Sequence, residues 1–405
     1  MQKATIALEI VRFKGYNKET KTDSGLIADG GKMKQFLREA VDFIKRTDRW
    51  LMSLCMICAA FSMVLLYSIY RNGFLSSSRG VWVQIVATIL GIVVAIVIST
   101  IDYEVMAKFW KFHLAFTVFF VILTFFFGVQ VEGADDKAWL NLGITTIQPS
   151  EFLKISFIVT FAYHLSKVQN DLNKVKNIIL LLLHAGGVAG LIVIQGDYGT
   201  ALIFFFIAAI MLIVAGLSWK YLLGGLLILP IVCFLVWNFL LDEMHRERFL
   251  VSFNPDLDPL GVGYQQVRGR LALGSGGLFG RGLFADNLVE VPEMRNDFIF
   301  SYIGQTLGFV GCLAVVILLV AICLRILYVS RLSQDALGSY ICVGVFGCVF
   351  FQSVVNIAMV LCVAPVIGVT LPLFSSGGSS MLTMFMTMGL VLSVYHKNRR
   401  TTMFD

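Results

Sequence analysis

The sequence predicts an all-α polytopic membrane protein with about ten transmembrane helices and one large extracellular loop. Of its 405 residues, 58% are hydrophobic and only 14% are charged, whereas a soluble protein has about 25% charged residues. Apolar runs of about 20 residues, the length that crosses a bilayer as a helix, recur from end to end. The predicted spans lie near 50–70, 81–101, 109–128, 149–166, 177–194, 198–217, 221–241, 298–328, 338–362 and 379–396.

The distribution of basic residues predicts how the chain is oriented in the membrane. Lysines and arginines are concentrated in the segment 32–49, in the loop 167–176 and in residues 397–400. Loops rich in these residues are retained on the cytoplasmic side, so both termini are predicted to be cytoplasmic, which agrees with an even number of spans. A cleavable signal peptide is not expected, because the first 49 residues lack an apolar core of suitable length.

Polar regions flank and interrupt the predicted membrane domain, residues 50–396. Residues 1–49 form a cytoplasmic extension, in which 32–46 places apolar residues at helical spacing among Lys and Arg. This pattern predicts an amphipathic helix on the membrane surface, although a solvated tail fits nearly as well. The segment 242–297 is too long for a simple connection and is predicted to be the large extracytoplasmic loop. Residues 397–405 are predicted to be a cytoplasmic tail.

Several kinds of site gain no support from the composition. The net charge of +6 belongs mostly to the cytoplasmic flanks, so it does not indicate nucleic-acid binding. The eight cysteines lie in apolar runs without metal-ligand spacing to histidine, which predicts buried hydrophobic side chains rather than disulfides or ligands. His113, His164 and His184 are interpreted as polar groups satisfied by their neighbours.

The strongest candidate for chemistry is Asp297. It ends a long polar segment and is followed at once by the apolar run 298–328, which predicts a position at the outer membrane edge. An ionisable group at that depth is costly unless it has a partner or a function. The sequence therefore favours a functional role for this carboxylate.

Two further acidic positions allow two interpretations each. Glu151 and Lys154 follow Pro149, which suits a first helical turn, and their i, i+3 spacing places them on one helix face. They form either a self-contained ion pair or, modestly favoured, part of a polar cavity in which Lys154 meets an anionic substrate group. Asp197 precedes a predicted helix, so it is either its N-cap or part of the chemistry.

Two loops are rich in small residues. The run 274–282 could let backbone N–H groups approach a pyrophosphate, with Arg281 as the counter-charge, but a flexible turn fits the spacing better. The loop 371–380 contains serines and glycines that allow close packing or a re-entrant turn. Direct catalysis by its serines is not expected, because no histidine base is near in sequence, although a distant one remains open.

Taken together, these motifs resemble the SEDS family (shape, elongation, division and sporulation), which includes RodA and FtsW, over about residues 48–398. The matching motifs, in chain order, are Gly133-Ala134, Trp139-Leu140, Leu142-Gly143, Gln148-Pro149-Ser150-Glu151 with Lys154, Asp197 with Gly199-Thr200, Asp258-Pro259-Leu260-Gly261, Gly263-Tyr264-Gln265, Gly274-Ser275-Gly276-Gly277, Pro292-Glu293, Asp297-Phe298-Ile299-Phe300, Asn356-Ile357, Pro365, Gly368, Leu371-Pro372, and Ser375 with Gly377-Gly378-Ser379. Details around residues 142–144, 275–277 and 365–369 are more similar to RodA than to FtsW.

The resemblance implies a ten-span glycosyltransferase of the bacterial inner membrane that polymerises lipid II into peptidoglycan. It implies a class B penicillin-binding protein as partner, within the cell-elongation machinery, and no organic cofactor. Asp297 would be the general base that activates the acceptor's 4-hydroxyl. Lys154, Arg281 or a divalent cation such as Mg²⁺ or Mn²⁺ would hold the charge that develops on the pyrophosphate. The implied substrate-binding residues are Lys154, Glu151, Arg281, Gln265 and Ser379.

The sequence also departs from the family pattern. Arg295-Asn296 stand where the family usually has His-Thr, and an Arg beside Asp297 is expected to lower the pKa of that carboxyl. Other departures are Gln305-Thr306, Arg268-Gly269, Gly196 and Ala138. They indicate a divergent member with a specialised role or weak catalysis. The rival hypotheses are a non-catalytic scaffold for a penicillin-binding protein and a lipid II flippase.

Overall fold

The computed structural model describes residues 47–130, 137–143, 145–241 and 243–401; the predicted amphipathic helix at 32–46 lies outside these residues. The long helices are α1 (Arg49–Arg71), α2 (Arg79–Thr100), α4 (Trp110–Phe127), α5 (Pro149–Val168), α6 (Val175–Gln195), α7 (Tyr198–Val214), α8 (Trp219–Leu235), α11 (Ile299–Leu332), α12 (Ala336–Val360) and α13 (Gly378–Thr401). The shorter helices are α3 (Tyr103–Lys108), α9 (Glu243–Phe253) and α10 (Tyr264–Ser275).

Each of the ten predicted spans coincides with one of the long helices, which confirms the all-α polytopic membrane fold. Among the described residues, eight helices are long and apolar enough to cross a membrane, including α8 with the π-helical turn Val236–Leu240 that continues it. The other two long helices are α7, which is apolar but has 17 residues, and α5, which carries a buried ion pair. The last helix runs to Thr401, so it includes the first residues of the predicted tail.

Short polar side chains and one proline determine where several helices begin. Asp48, Asp197 and Asp335 precede α1, α7 and α12, and each accepts hydrogen bonds from backbone N–H groups of the first turn. These N–H groups have no partner inside the helix, so a carboxylate at the N-cap stabilises the helix start. Pro149 occupies the first turn of α5, as its position in the sequence predicts.

Small residues allow the closest helix contacts in the bundle. α2 and α13 pack tightly because Gly91 faces the ring of Phe385, and Gly389 faces the backbone of Ala95. By contrast, α8 buries no residue against the protein. Cys233 on α8 is therefore exposed, so the predicted burial of the cysteines is wrong at this position. Six others are buried and Cys362 is half-buried, and all eight are free thiols.

The predicted extracytoplasmic loop 242–297 contains regular structure. It holds α9, the 3-10 turn Pro255–Leu257 and α10. A second feature that the sequence did not predict is a small antiparallel hairpin before α5, formed by β1 (Leu140–Asn141) and β2 (Thr146–Ile147).

The Gly-rich run 274–282 packs against a break in α11. Gly308 has φ 68° and ψ −164°, a conformation that glycine adopts without steric cost, and it interrupts the helix. The backbone N–H groups of Phe309 and Val310 then donate to carbonyls of the Gly-rich run, while those of Arg281 and Gly282 donate to carbonyls of α11. These N–H groups are used in backbone pairing, so the run acts as a packed turn.

The end of the bundle at which α1 begins and α5 ends holds several charged contacts between helices. Arg325 on α11 donates through Nε to the buried Asp48 carboxylate at 2.7 Å. Lys397 on α13 forms ion pairs with Asp102 and Glu104 at the start of α3. The charges at the ends of α1, α3, α11 and α13 thereby hold these helices together.

Candidate functional site

The opposite end of the bundle contains a cavity of about 670 Å³. Its walls come from the start of α2, the hairpin, the α6–α7 junction, α9, the segment before α11 and the loop before α13. The acidic lining residues are Glu151, Asp197, Glu293 and Asp297, and the basic ones are Arg79, His245, Arg248 and Arg295. The chain connections that meet here are those predicted to face outside.

Asp297 is half-buried in the cavity wall at the end of a compact turn. The backbone N–H groups of Asn296 and Phe298 both donate to the carbonyl of Glu293, at 2.9 and 3.1 Å. Glu293 itself has φ 54°, an unusual conformation for a residue other than glycine. The buried Asn356 of α12 donates through Nδ2 to the Asp297 carbonyl at 2.8 Å and to that of Val369 at 2.7 Å. One amide therefore joins the Asp297 segment to the opposite cavity wall.

The loop before α13 fixes the same segment from another side. Ser376 N donates to the Arg295 carbonyl at 2.7 Å, and Ser375 Oγ donates to the Asn296 carbonyl at 2.6 Å. Gln84 of α2 holds this loop, because its Nε2 donates to the Ser375 carbonyl and its Oε1 accepts from Gly377 N. These serines and glycines bind backbone groups, so they position the wall that carries Asp297.

The environment raises the pKa of Asp297 to about 7. Burial is the main cause, since it disfavours the charged form, and the nearby carboxylates of Glu293 and Asp197 add to it. The expectation that Arg295 would lower this pKa is wrong. Burial and the two carboxylates outweigh any effect of this nearby arginine.

Glu151 and Lys154 form the predicted ion pair within the protein. Lys154 Nζ lies 2.8 Å from Glu151 Oε1, and both side chains are almost fully buried. Thr383 of α13 donates to the second oxygen of Glu151 at 3.0 Å. Glu151 lines the cavity whereas Lys154 lies behind it, so a direct contact between Lys154 and substrate stays a prediction.

Asp197 serves as an N-cap and also lines the cavity. Its Oδ1 accepts from Thr200 N at 2.9 Å, and its Oδ2 accepts from Gln148 Nε2 at 3.0 Å. The next residue but one, Gly199, leaves room for the backbone of the cavity wall, because a Cβ there would lie 2.0 Å from the Ile367 carbonyl oxygen. Both sequence interpretations of Asp197 are therefore compatible with its position.

The remaining predicted site residues occupy different positions. Gln265 of α10 lines the cavity. Ser379 is buried in the first turn of α13, and its neighbour Ser380 reaches the cavity wall. Arg281 lies on the Gly-rich turn, where its guanidinium donates to the carbonyls of Ser275 and Asn287. The structure thus brings Asp297, Glu151 and Gln265 to one cavity and places Arg281 outside its lining.

Sequence reasoning missed the basic side of the cavity. Arg79 opens the second predicted span at its outer end, and His245 and Arg248 belong to a charged cluster at the start of the 242–297 segment. An outward-facing Arg at a span end and an Arg within a polar segment both look like ordinary surface charges. Only the fold shows that they meet the acidic residues.

The carboxylates do not form a protein-made metal centre within the described part of the chain. No group of three or more His, Cys, Asp or Glu residues there is arranged to hold a metal ion. Mg²⁺ and Mn²⁺ favour several oxygen ligands around one point, and the cavity's acidic residues come from α5, the α6–α7 junction and the turn before α11. We therefore derive no step through a protein-bound cation.

The architecture and cavity agree with comparisons to known proteins. The family model FTSW_RODA_SPOVE, described as cell cycle protein, matches residues 48–400. The chain belongs to this family. It is 30% identical over 363 residues to the probable peptidoglycan glycosyltransferase FtsW of Trichlorobacter lovleyi, covering 86% of this chain and 92% of the relative. It is 31% identical over 317 residues to the peptidoglycan glycosyltransferase MrdB of Escherichia coli K12, covering 77% and 84%.

Solved structures show the same fold. One is a chain from a peptidoglycan synthase complex that coordinates polymerisation and crosslinking, with a TM-score of 0.73, 27% identity and coverage of 87% of this chain and 98% of that one. Another is the rod shape determining protein RodA of Thermus thermophilus, with a TM-score of 0.65, 26% identity and coverage of 87% and 97%. Relatives of the FtsW and RodA groups match at similar identity, so the assignment is to the family as a whole.

Proposed function

We propose that this chain is a membrane peptidoglycan glycosyltransferase that polymerises lipid II into glycan strands. The observation that carries the proposal is Asp297, a half-buried carboxylate in the wall of a charged cavity, with a pKa of about 7. Relatives named as peptidoglycan glycosyltransferases, matched over most of the chain, support the same activity.

Asp297 acts in this proposal as the general base. Its carboxylate takes the proton from the 4-hydroxyl of the acceptor's N-acetylglucosamine as that oxygen attacks C1 of the donor's N-acetylmuramic acid. The bond from C1 to the undecaprenyl diphosphate oxygen breaks, the electron pair leaves with the diphosphate, and inversion gives a β-1,4 linkage. A base is most effective when its pKa lies near the working pH, and a pKa of about 7 meets this condition.

The proposal includes an orientation, a location and a partner. The cavity faces outward and both termini are cytoplasmic in the bacterial inner membrane, consistent with the basic residues at the predicted inner face. A class B penicillin-binding protein crosslinks the product, as suggested by the similarity to a chain from a complex that coordinates polymerisation and crosslinking. We assign the process to cell elongation on the RodA-like sequence details. A divalent cation, if required, arrives with the diphosphate of the substrate.

The arrangement favours surface chemistry over the flippase alternative. A transport site is expected near the bilayer midplane with access from both sides. Here Asp297 lies at one end of the bundle, and the other end is crossed by ion pairs such as Arg325 with Asp48.

The decisive experiment measures glycan polymer from purified lipid II, with and without the partner, for wild type and Asp297→Asn. Loss of a positioned general base lowers the rate by roughly 10²–10⁴-fold, so the variant should make almost no polymer. Asp256→Asn is the matched control, because Asp256 is an exposed carboxylate of the same outer segment, paired with Arg270, and should polymerise normally.

Other outcomes identify the rival functions. Equal product from wild type and Asp297→Asn would remove Asp297 from the mechanism. No product from wild type, even with the partner and added Mg²⁺ or Mn²⁺, would favour the scaffold. Chelation with EDTA during the wild-type reaction tests the divalent cation separately.

A further inference from the structure

The cavity has to receive an anion although four carboxylates line it. The diphosphate of the proposed donor is negatively charged, so this inference rests on the proposed function. Glu151, Asp197, Glu293 and Asp297 would repel it. The cations expected from the sequence do not line the cavity: Lys154 is buried against Glu151, and Arg281 donates to the carbonyls of Ser275 and Asn287. The diphosphate needs another cationic wall.

Helix α9 presents such a wall. His245 and Arg248 are three residues apart, so they share one face of the helix, and both line the cavity. Arg246 on the same helix has a different role, since its guanidinium donates to the Asn238 carbonyl at 3.1 Å. The two arginines of this sequence cluster therefore have different positions, since Arg248 lines the cavity and Arg246 anchors the helix.

Tyr198 holds this face of α9 beside the acidic side of the cavity. Its ring lies edge-on to His245 with 4.8 Å between centroids, and its hydroxyl donates to the Leu240 carbonyl at 3.0 Å. Tyr198 directly follows Asp197, which caps α7. The position of α9 is thus tied to the same helix start that carries a cavity carboxylate.

Inversion separates the position of the base from that of the leaving group. The attacking oxygen and the departing diphosphate lie on opposite sides of C1, so a cation for the diphosphate should not lie next to the base. Arg295 is two residues from Asp297 on the same short turn, so it is the less suitable cation by this criterion. Arg248 comes from a different element, α9, and lines the same cavity.

We propose that Arg248, assisted by an imidazole N–H of His245, binds the diphosphate of the polyprenyl-linked donor. A guanidinium can hold a phosphate through two parallel N–H···O bonds. The same contact strengthens as the C1–O bond breaks and negative charge accumulates on the diphosphate. Arg248 therefore binds the leaving group of the substrate, and Asp297 carries out the proton transfer.

The test compares Arg248→Ala, Arg248→Lys and the control Arg270→Ala in the full-length protein with its partner; Arg270 is an exposed arginine of the same outer segment that pairs with Asp256 and does not line the cavity. Polymerisation of lipid II is measured together with its inhibition by inorganic pyrophosphate. Arg248→Ala should lower kcat/KM by roughly 10²-fold or more and should need at least about tenfold more pyrophosphate for half-inhibition. Arg248→Lys should recover part of the kcat/KM and part of the sensitivity to pyrophosphate, because lysine keeps the positive charge but cannot form the two parallel hydrogen bonds. Arg270→Ala should bind pyrophosphate as wild type does.

A second measurement separates this inference from the proposed function. Direct binding of inorganic pyrophosphate to wild type and Arg248→Ala is followed by calorimetry, and the folding of each variant is checked by thermal unfolding. If wild type makes no polymer yet binds pyrophosphate more tightly than a folded Arg248→Ala does, the proposed glycosyltransferase activity is wrong and the diphosphate site at Arg248 is supported. If Arg248→Ala retains wild-type binding and inhibition, or Arg79→Ala loses them instead, the assignment to α9 is overturned.

Discussion

The two ends of the bundle use charged residues in opposite ways. At the end away from the cavity, Asp48 is matched by Arg325, and Lys397 by Asp102 and Glu104. At the cavity end, burial raises the pKa of Asp297, and the nearby carboxylates of Glu293 and Asp197 raise it further. Pairing opposite charges stabilises a fold, whereas bringing like charges together costs stability and raises the pKa of a carboxyl group. In the proposed function, one end of the molecule therefore serves assembly and the other serves chemistry.

The largest expected effect concerns the ion pair between Glu151 in the cavity wall and Lys154 behind it. Lys154→Met leaves the buried Glu151 carboxylate with Thr383 as its remaining side-chain donor. Removing one partner of a buried pair costs about 3–5 kcal/mol, so thermal unfolding in detergent should occur at a markedly lower temperature. The double variant Glu151→Leu/Lys154→Met should recover most of the loss, because apolar residues can replace a buried pair. An unchanged unfolding temperature for the single variant would contradict the pairing.

The next prediction addresses the opposite end alone. Arg325→Ala removes the cation beside Asp48, but the carboxylate keeps its hydrogen bonds from two N–H groups at the start of α1. We expect a loss of about 1–3 kcal/mol in stability with unchanged polymerisation at temperatures where the protein is folded. Arg331→Ala on the same helix is the control, since this residue is exposed near the end of α11, and it should change neither quantity. A selective loss of activity in Arg325→Ala would break the division of roles between the two ends.

The sequence predicted features that depend on local pattern. Ten apolar runs became ten helices because each run is long enough to satisfy its own backbone hydrogen bonds in lipid. Asp297 stood out for the same reason, since a carboxylate at the start of a span carries an evident energetic cost. The N-cap at Asp197 and the ion pair of Glu151 with Lys154 are also local, within four residues of chain.

Features set by distant parts of the chain were not accessible in this way. The break in α11 at Gly308 exists because residues 277–282 supply backbone partners from another segment. Arg248 became part of the cavity only through the packing of α9 against Tyr198. The direction of the pKa shift at Asp297 was predicted from its neighbour Arg295, while burial and two carboxylates from the folded structure determine it.

The smallest expected effect is a shift in pH dependence at the cavity end. A general base must be deprotonated to act, so with the pKa of Asp297 at about 7, kcat/KM should rise about tenfold per pH unit below 7 and level off above it. Glu293 is one of the groups that raise this pKa. Glu293→Gln should therefore move the rising limb to lower pH, making the variant relatively more active than wild type under acidic conditions.

The matched control is Glu290→Gln, because Glu290 is an exposed carboxylate of the same segment that does not line the cavity. This variant should leave the pH profile unchanged.

The raised pKa of Asp297 has a second consequence, for the stability of the fold. Because the pKa of Asp297 rises from 3.8 to about 7 on folding, its contribution to stability is complete below pH 3.8 and is lost as the pH rises towards 7. Asp297→Asn should remove this dependence and unfold at a higher temperature than wild type above pH 7. Two results would contradict the comparison: an unchanged pH dependence of kcat/KM in Glu293→Gln, and an unchanged unfolding temperature in Asp297→Asn. Together they would mean that the carboxylates of the cavity end cost no more stability than the paired charges of the other end.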